Sequence, residues 1–228
     1  MTQQLSREIP VEPRRTTLLF IDVQNYCAHR KGGEYKDLTP DEFEHRLGYY
    51  FHQLETVAVP NMQRLQAGCR KAGIEVMYST IENLTKDGRD RSLDYKISGI
   101  DVQCGSWGAQ VLDEIAPLED EMIFRKTSSN VFISTNIDYV LRNLGIRSLI
   151  VTGLMTDQCV ESAVRDACDL GYLVTLATDA CTTSTAERHE QSLIGIRGYC
   201  RQRTTDALLA EIARFTQSHL SQCCDPLD

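Results

Sequence analysis

Short, continuous apolar runs alternate with helix-like stretches along most of this 228-residue chain. Runs such as 16–21, 74–80 and 148–152 lack the polar alternation of a half-exposed strand, so both faces of these strands are expected to be buried. Helices that connect strands in this way make right-handed crossovers and cover both faces of a parallel sheet. The sequence therefore predicts an α/β fold with three layers, α/β/α, around a central, mostly parallel sheet of about six strands.

The predicted elements follow from the apolar pattern and from glycine stop signals. Strands are predicted over residues 16–21, 74–80, 121–126, 148–152, 172–177 and, as a short sixth strand, 201–205. Helices are predicted over 40–72, 107–115, 136–144, from Cys159 to about Leu170, 186–198 and 206–218. Residues 82–105 form a long polar loop, of a length that is usually functional or mobile. One domain over 16–218 is expected, between an irregular lead-in (1–15) and a tail (219–228).

The charge and cysteine content limit the partners of the chain. A net charge of −8 argues against nucleic acid and against anionic membranes as partners, and no apolar run approaches the ~18–20 residues of a membrane span. Nine scattered cysteines without a CxxC pair, behind an N-terminus without the apolar core of a signal peptide, predict reduced thiols and a cytoplasmic location. Cys223 and Cys224 are expected to be exposed and prone to oxidation, with no assigned function.

Three side chains with useful chemistry follow strand ends. Asp22 comes directly after the first strand, Lys126 ends the third, and Cys159 follows the fourth, where the chain enters a helix. The carboxyl ends of parallel strands meet at one edge of the sheet, so these three side chains are predicted to meet there. The positive end of the helix is expected to lower the pKa of the Cys159 thiol.

This trio can perform acyl transfer. Asp22 can take the thiol proton, Lys126 can stabilise the thiolate, and the backbone N–H groups of Met155 and Cys159 can form an oxyanion hole. The hypothesis is thiolate attack on an amide carbonyl, loss of an amine and hydrolysis of the resulting thioester.

Each of these signals alone is weak, and other interpretations stay open. Asp22 can cap a turn, Lys126 can be solvated and Cys159 can be a small core residue. A hydrolase that pairs the cysteine with His189 or His29, a non-catalytic binder of small molecules and a redox thiol protein are the rival functions. The chain contains no GxGxxG or GxxxxGK[ST] motif, so no nucleotide cofactor is predicted.

Three segments together resemble the isochorismatase-like cysteine hydrolases, a superfamily with a Rossmann-like fold. They are FIDVQNYC (20–27), FRKTSSNVFISTNID (124–138) and VTGLMTDQCVESAVRDA (151–167), and the resemblance runs from about Thr16 to Ala210. It implies a catalytic triad of Asp22, Lys126 and Cys159. It also implies a cis peptide between Leu154 and Met155 that turns the Met155 N–H toward the oxyanion, and a homo-oligomer, either a dimer or a tetramer.

The chain departs from two branches of this superfamily. Nicotinamidases carry a metal-binding cluster of Asp and His between the first two strands, whereas this chain has His29, His45 and His52 there without a D-x-H element. We therefore predict no metal and no other cofactor, and nicotinamide is disfavoured as a substrate. Isochorismatases of the superfamily lack the nucleophilic cysteine, which also disfavours an isochorismate substrate.

The segments HRKGGEYKDL (29–38) and CGSWGAQVLDEI (104–115) resemble the ureidoacrylate and biuret branch, which also lies near N-carbamoylsarcosine amidase. A small amide, carbamoyl or ureido compound is the expected substrate; the alternatives are a nicotinamidase-like or other small-amide hydrolase and a non-catalytic member. Exposed aromatic residues of the 40–60 helix are candidate oligomer contacts: Tyr49, Tyr50 and Phe51. Positions after strand ends or in the long loop are candidates for substrate binding: Gln24, Tyr26, Glu82, Asn83, Trp107, Asn130 and Phe132.

Overall fold

A computed structural model of the protein describes residues 5–222, with their side chains except at position 34 and over 216–222. Cys223 and Cys224 lie outside the described residues. Six parallel strands form one sheet in the order β3-β2-β1-β4-β5-β6, which confirms the predicted three-layer α/β fold. The strands are β1 (Thr16–Ile21), β2 (Glu75–Ile81), β3 (Met122–Lys126), β4 (Ser148–Leu154), β5 (Leu173–Thr182) and β6 (Arg201–Arg203).

Helices of very different lengths connect these strands. They are α1 (Asn25–Ala28), α2 (Pro40–Gln53), α3 (Val59–Lys71), α4 (Leu93–Ile97), α5 (Val131–Ser134), α6 (Ile137–Asn143), α7 (Glu161–Asp169), α8 (Ala186–Ile196) and α9 (Thr205–Gln222). Two π-helical turns, Leu54–Ala58 and Thr156–Val160, precede α3 and α7. In the described part of the chain no helix is both long and apolar enough to cross a membrane.

The central strand β1 shows how the layers form. All six of its residues are buried, because β2 and β4 flank it and helices cover both faces. Leu18 and Phe20 pack in the core under α2, α3 and α9, whereas Leu19 and Ile21 pack in the core under α6, α7 and α8. Successive side chains of a strand point to opposite faces, so one continuous apolar run supplies both cores.

Several elements differ from the sequence-based expectation. The helix predicted over 107–115 is wrong, because this segment forms two separate 3-10 turns, Trp107–Ala109 and Asp113–Ile115. Between these turns the chain is extended, and Val111 forms an antiparallel bridge with Gln24. The long loop contains the short helix α4, which begins at a Ser92 cap. The last helix begins at Thr205 and reaches Gln222, past the predicted end at residue 218.

Two of the three aromatic residues predicted as oligomer contacts belong to the core. Tyr50 and Phe51 are fully buried, with their ring centroids 5.0 Å apart, and only Tyr49 is partly exposed. The prediction of an interface at Tyr50 and Phe51 was therefore wrong, since the apolar face of α2 packs inward. The homo-oligomer itself stays a prediction.

Strands β1 and β4 approach each other closely at their carboxyl ends. Gly153 has a φ of +127°, and a Cβ at this position would lie 2.2 Å from the carbonyl oxygen of Ile21. Only glycine fits such a contact. Successive crossovers leave β1 and β4 in opposite directions, and this is the place where an open α/β sheet forms a binding crevice.

Candidate active site

Asp22 ends β1 in a tight turn. Its φ of +55° lies in the left-handed region, which aspartate adopts more readily than most residues. Its N–H donates to the Ser79 carbonyl at 3.0 Å, and its carbonyl accepts from the Gln24 N–H at 2.9 Å. The carboxylate is buried, and its Oδ1 accepts a hydrogen bond from Ser79 Oγ at 3.1 Å. The turn therefore fixes the direction of the Asp22 side chain.

Lys126 reaches the same point from the edge strand of the sheet. It ends β3, and β2 separates β3 from β1. Neighbouring strands lie about 4.8 Å apart, so the side chain has to cross roughly 10 Å to reach the end of β1. The four-carbon stem of lysine is long enough, and Nζ lies 2.9 Å from Asp22 Oδ2.

The buried ammonium of Lys126 has a complete set of acceptors. Nζ donates to the Tyr95 hydroxyl at 2.8 Å, to the Ser128 carbonyl at 2.9 Å and to the Cys159 sulfur at 3.4 Å. An ammonium has three N–H donors, and these three acceptors take them all. The Asp22 carboxylate is the ion-pair partner of the ammonium, and its Oδ2 is buried without a hydrogen bond to the described residues.

Cys159 lies in the π-helical turn between β4 and α7 and is 7% exposed. Its sulfur lies beside the Asp22 carboxylate and interacts with it electrostatically. The structure therefore brings Asp22, Lys126 and Cys159 into mutual contact. The predicted cis peptide between Leu154 and Met155 is present. Met155 and Cys159 both line the adjacent cavity, and their role as an oxyanion hole stays a prediction.

Burial controls the protonation of the trio. It raises the pKa of Cys159 to about 11, against the opposing influence of Lys126; the expectation that the helix end lowers this pKa was wrong, since loss of solvation is the larger effect. Burial also raises the pKa of Asp22, although Lys126 lowers it in part. Burial lowers the pKa of Lys126, but Asp22 and its other neighbours more than offset this, so the pKa lies above its ordinary value. The resting site therefore contains a protonated thiol and an ammonium, and the ammonium of Lys126 favours the ionised form of Asp22.

A cavity of about 500 Å³ opens over Cys159. Asp22 and Cys159 form its floor. Tyrosine rings, apolar side chains, short polar side chains and one further carboxylate form its wall: Tyr26, Cys27, Tyr35, Ile81, Asp94, Tyr95, Ser98, Ile100, Ser129, Leu154, Met155, Gln158 and Ser162. Such a volume suits a small organic molecule.

Of the residues predicted to bind substrate, Tyr26 lies on this wall. Gln24, Glu82 and Asn83 have other partners. The Gln24 amide donates to the carbonyls of Ile81 and Gly108 at 2.9 Å each, which joins the β1 turn to β2. Glu82 accepts from the Gly105 N–H at 2.9 Å, and Asn83 donates to Asp101 at 2.6 Å. These side chains shape the loop and do not line the cavity.

The structure also places Trp107, Asn130 and Phe132 away from the cavity wall. Asn130 caps α5 by accepting from the Phe132 N–H at 2.8 Å, and it donates to the Ser162 carbonyl at 3.1 Å. Phe132 packs on the α6–α8 side of the sheet, 6.2 Å from the ring of Tyr172. Trp107 is 47% exposed, and its ring meets the edge of His29. Capping and packing explain these positions.

The geometry does not support a cysteine–histidine pair. His189 Nδ1 lies 2.8 Å from Thr156 Oγ1, and His29 packs against Trp107. Neither histidine lines the cavity over Cys159. Among the side chains that the structure describes, no three or more of His, Cys, Asp or Glu form a group that could hold a metal ion. That the protein needs no metal or other cofactor stays a prediction.

Sequence reasoning missed Ser79, Tyr95 and Asp94. Ser79 lies in β2 next to Asp22. It is a polar residue in a mostly apolar strand, and this could have indicated that its hydroxyl binds a neighbouring polar side chain. Tyr95 and Asp94 lie on the short helix α4 inside the long loop, where no periodic pattern indicates which side chains turn inward.

Comparison with known proteins gives the family. The model of the isochorismatase domain matches residues 16–207. The ureidoacrylate amidohydrolase of Acinetobacter baylyi is 27% identical over 208 residues, which cover 84% of this chain and 80% of that protein. The ureidoacrylate amidohydrolase of Caulobacter segnis is 30% identical over 180 residues, which cover 75% of this chain and 74% of that protein.

Two solved structures show the same fold. A cysteine hydrolase from Pseudomonas syringae pv. phaseolicola superposes with a TM-score of 0.77 at 23% identity, covering 94% of this chain and 100% of that one. The N-carbamoylsarcosine amidase of Thermoplasma acidophilum superposes with a TM-score of 0.64 at 22% identity, covering 84% and 97%. Because the domain model matches well over half of the chain, the protein belongs to the isochorismatase family of hydrolases.

Proposed function

We propose that the protein is a cysteine-dependent amidohydrolase that cleaves a C–N bond of a small carbamoyl or ureido compound through a thioester. One observation carries this proposal: a thiol, a carboxylate and an ammonium meet at the floor of a cavity. Lys126 Nζ lies 2.9 Å from Asp22 and 3.4 Å from Cys159 Sγ. A base and a cation beside one sulfur are what a nucleophilic thiol needs.

In the first step the Cys159 sulfur attacks the amide carbonyl carbon while its proton passes to the Asp22 carboxylate. The raised pKa of Asp22 makes this carboxylate a better base than an exposed one. The ammonium of Lys126 stabilises the negative charge that sulfur carries during the transfer. The carbonyl electrons move to oxygen, and the N–H groups of Met155 and Cys159 are the proposed donors to it.

In the second step the tetrahedral intermediate collapses. The C–N bond breaks, the leaving nitrogen takes the proton from Asp22, and the acyl group stays on Cys159 as a thioester. Water then adds to the thioester carbon and gives a proton to Asp22. When the C–S bond breaks, this proton returns to sulfur, so amide and water become acid and amine with the enzyme unchanged.

The relatives support the substrate class. Two of them are ureidoacrylate amidohydrolases and one structural neighbour is an N-carbamoylsarcosine amidase by name. A cavity of about 500 Å³ is large enough for a small ureido or carbamoyl compound.

Mass spectrometry tests the proposal directly. Ammonia release is first screened across ureas, carbamoyl amino acids and nicotinamide, and the protein is then quenched in acid during turnover of the best compound. We expect the mass of the acyl group on the peptide that contains Cys159. An adduct on any other residue contradicts the proposal.

Cys27 supplies a matched control, because this second thiol lines the same cavity. Its Sγ donates to the Asp22 carbonyl at 3.0 Å, and burial raises its pKa well above the ordinary value. The Cys27→Ser variant is expected to form the adduct, whereas Cys159→Ala is expected to form none.

A further inference from the structure

The charges on the wall of the catalytic cavity are unequal. Two carboxylates, Asp22 and Asp94, line the cavity, whereas no lysine or arginine does among the residues whose side chains are described. Lys126 lies behind the floor, fully buried, with its ammonium bound to Asp22, Tyr95 and Ser128. Lys126 therefore neutralises the negative charge of Asp22, whereas no described side chain neutralises the negative charge of Asp94.

Asp94 differs from the other aspartates of its loop. In the described residues Asp87 pairs with Arg89 at 3.0 Å, Asp90 accepts from the Leu84 N–H at 2.8 Å, and Asp101 accepts from Asn83 at 2.6 Å. The carboxylates of Asp90 and Asp101 therefore hold the loop together, whereas the pair of Asp87 with Arg89 is local and exposed. Asp94, in the first turn of α4, is exposed, and its carboxylate has no hydrogen bond or ion pair with any described residue. Its role is therefore not to hold the loop.

The rest of the wall is suited to a cation. Three tyrosines, Tyr26, Tyr35 and Tyr95, line the cavity with Asp94. The ring of Tyr95 already contacts one cation, since Lys126 Nζ lies 5.5 Å from its centroid, and a cleft lined by charge of one sign concentrates ligands of the opposite sign. A carboxylate in the wet mouth of a cavity with aromatic walls recognises an ammonium or guanidinium group and repels a carboxylate.

We propose that the amide substrate carries a positively charged group that pairs with Asp94, and that the cavity discriminates against compounds with a carboxylate. This inference rests on the proposed amidohydrolase function of the same site. It separates this chain from the ureidoacrylate amidohydrolases that it resembles, because an acrylate carries a carboxylate.

Three ureas with the same two-carbon spacer test the proposal. They share the structure H₂N–CO–NH–CH₂–CH₂–X, with X an ammonium in (2-aminoethyl)urea, a methyl group in propylurea and a carboxylate in 3-ureidopropionate. We expect kcat/KM to fall in that order for the wild-type protein. A half-solvated charge pair gives a ratio of about fivefold between the first two compounds.

Charge removal at Asp94 tests the residue itself. In Asp94→Asn the ratio of kcat/KM between (2-aminoethyl)urea and propylurea is expected to fall about fivefold, to near unity. Asp87→Asn removes the same charge from the same loop but away from the cavity wall, and is expected to keep the wild-type ratio. Equal ratios in wild type and Asp94→Asn, or 3-ureidopropionate as the best of the three compounds, overturn the inference while the amidohydrolase proposal stands.

A binding measurement separates the two proposals if no compound is turned over. Calorimetry with Cys159→Ala compares the affinities of the same three ureas without chemistry. Tighter binding of (2-aminoethyl)urea than of the other two supports the inference even where the proposed reaction fails. Equal or weaker binding, including no binding of any of the three, overturns it.

Discussion

The floor and the wall of the cavity are built in opposite ways. The floor consists of Asp22 and Cys159, with Lys126 directly behind it; none of the three is more than 7% exposed, and each follows or ends a strand of the sheet. Much of the wall comes from the 82–105 loop and the turn before α7, where Asp94, Ser98 and Gln158 are exposed. The sheet therefore holds the groups to which we assign the reaction, and the loop supplies the residues to which we assign the choice of substrate.

The two regions also differ in what a substitution costs. Removing one partner of a buried ion pair such as Asp22–Lys126 typically costs about 3–5 kcal/mol of folding free energy. A substitution at an exposed position away from the core usually changes the free energy of unfolding by about 0.5 kcal/mol or less. Selectivity in this protein can therefore change at the wall with little risk to the fold.

The largest expected effect comes from the floor. Asp22→Asn keeps the shape of the side chain but removes the base, and kcat/KM with any turned-over amide is expected to fall about 10³-fold. Steady-state kinetics measures this, with circular dichroism as the check on folding. Asp87→Asn is the control for loss of one negative charge. Activity within tenfold of wild type in Asp22→Asn would show that the floor does not work as proposed.

The next largest effect is expected at the contact between β1 and β4. Gly153→Ala places a Cβ 2.2 Å from the Ile21 carbonyl oxygen, and the free energy of unfolding is expected to fall by about 3 kcal/mol or more, since backbone has to move. Gly145→Ala is the matched control, because Gly145 has a φ of +71° with nothing within 4 Å of its Cβ position. It is expected to cost only the ~1–2 kcal/mol of a left-handed residue. Urea titration of both variants measures the difference, and equal losses would mean that the close approach is unimportant.

Tyr95 belongs to both regions, since its hydroxyl accepts from Lys126 and its ring lines the wall. Tyr95→Phe leaves one ammonium N–H without its acceptor but keeps the ring, and kcat/KM is expected to fall about tenfold. Tyr139→Phe, at a position that is 67% exposed, is the control. A loss confined to KM for cationic compounds would instead assign Tyr95 to the wall alone.

The smallest expected effect concerns the turn that carries Cys159. Burial lowers the pKa of His189 below its ordinary value of 6.5, so the folded protein binds this proton less readily than the unfolded chain. The contribution of neutral His189 to stability is complete above that value and is lost as the pH falls below it. Urea unfolding at pH 7.5 and at a pH near 5.5 is expected to show a larger loss in wild type than in His189→Gln. The same loss in both proteins would refute this assignment.

The sequence predicted the sheet and the floor for one physical reason. Apolar runs that are buried on both faces indicate internal parallel strands, and the ends of these strands and of the parallel edge strand β3 lie at one side of the sheet. That reasoning placed Asp22, Lys126 and Cys159 at one edge, where the structure brings them into contact.

The same reasoning failed for the wall. Gln24, Glu82 and Asn83 also follow strand ends, but backbone groups or loop side chains satisfy them. Sequence shows where a polar side chain is, and tertiary structure decides whether it is already paired. The sign of the pKa shift at Cys159 was missed for a related reason, because the helix end was visible in the sequence and the depth of burial was not.

Lys126 belongs to an edge strand whose only strand partner is β2. Edge strands detach in local openings that cost less than global unfolding. Each such opening withdraws the ammonium and leaves the Asp22 carboxylate without its cation, while the helices and the other strands remain folded. Heat or mild denaturant should therefore abolish turnover before it melts the helices. Loss of activity would then report the detachment of β3 and not the unfolding of the whole molecule.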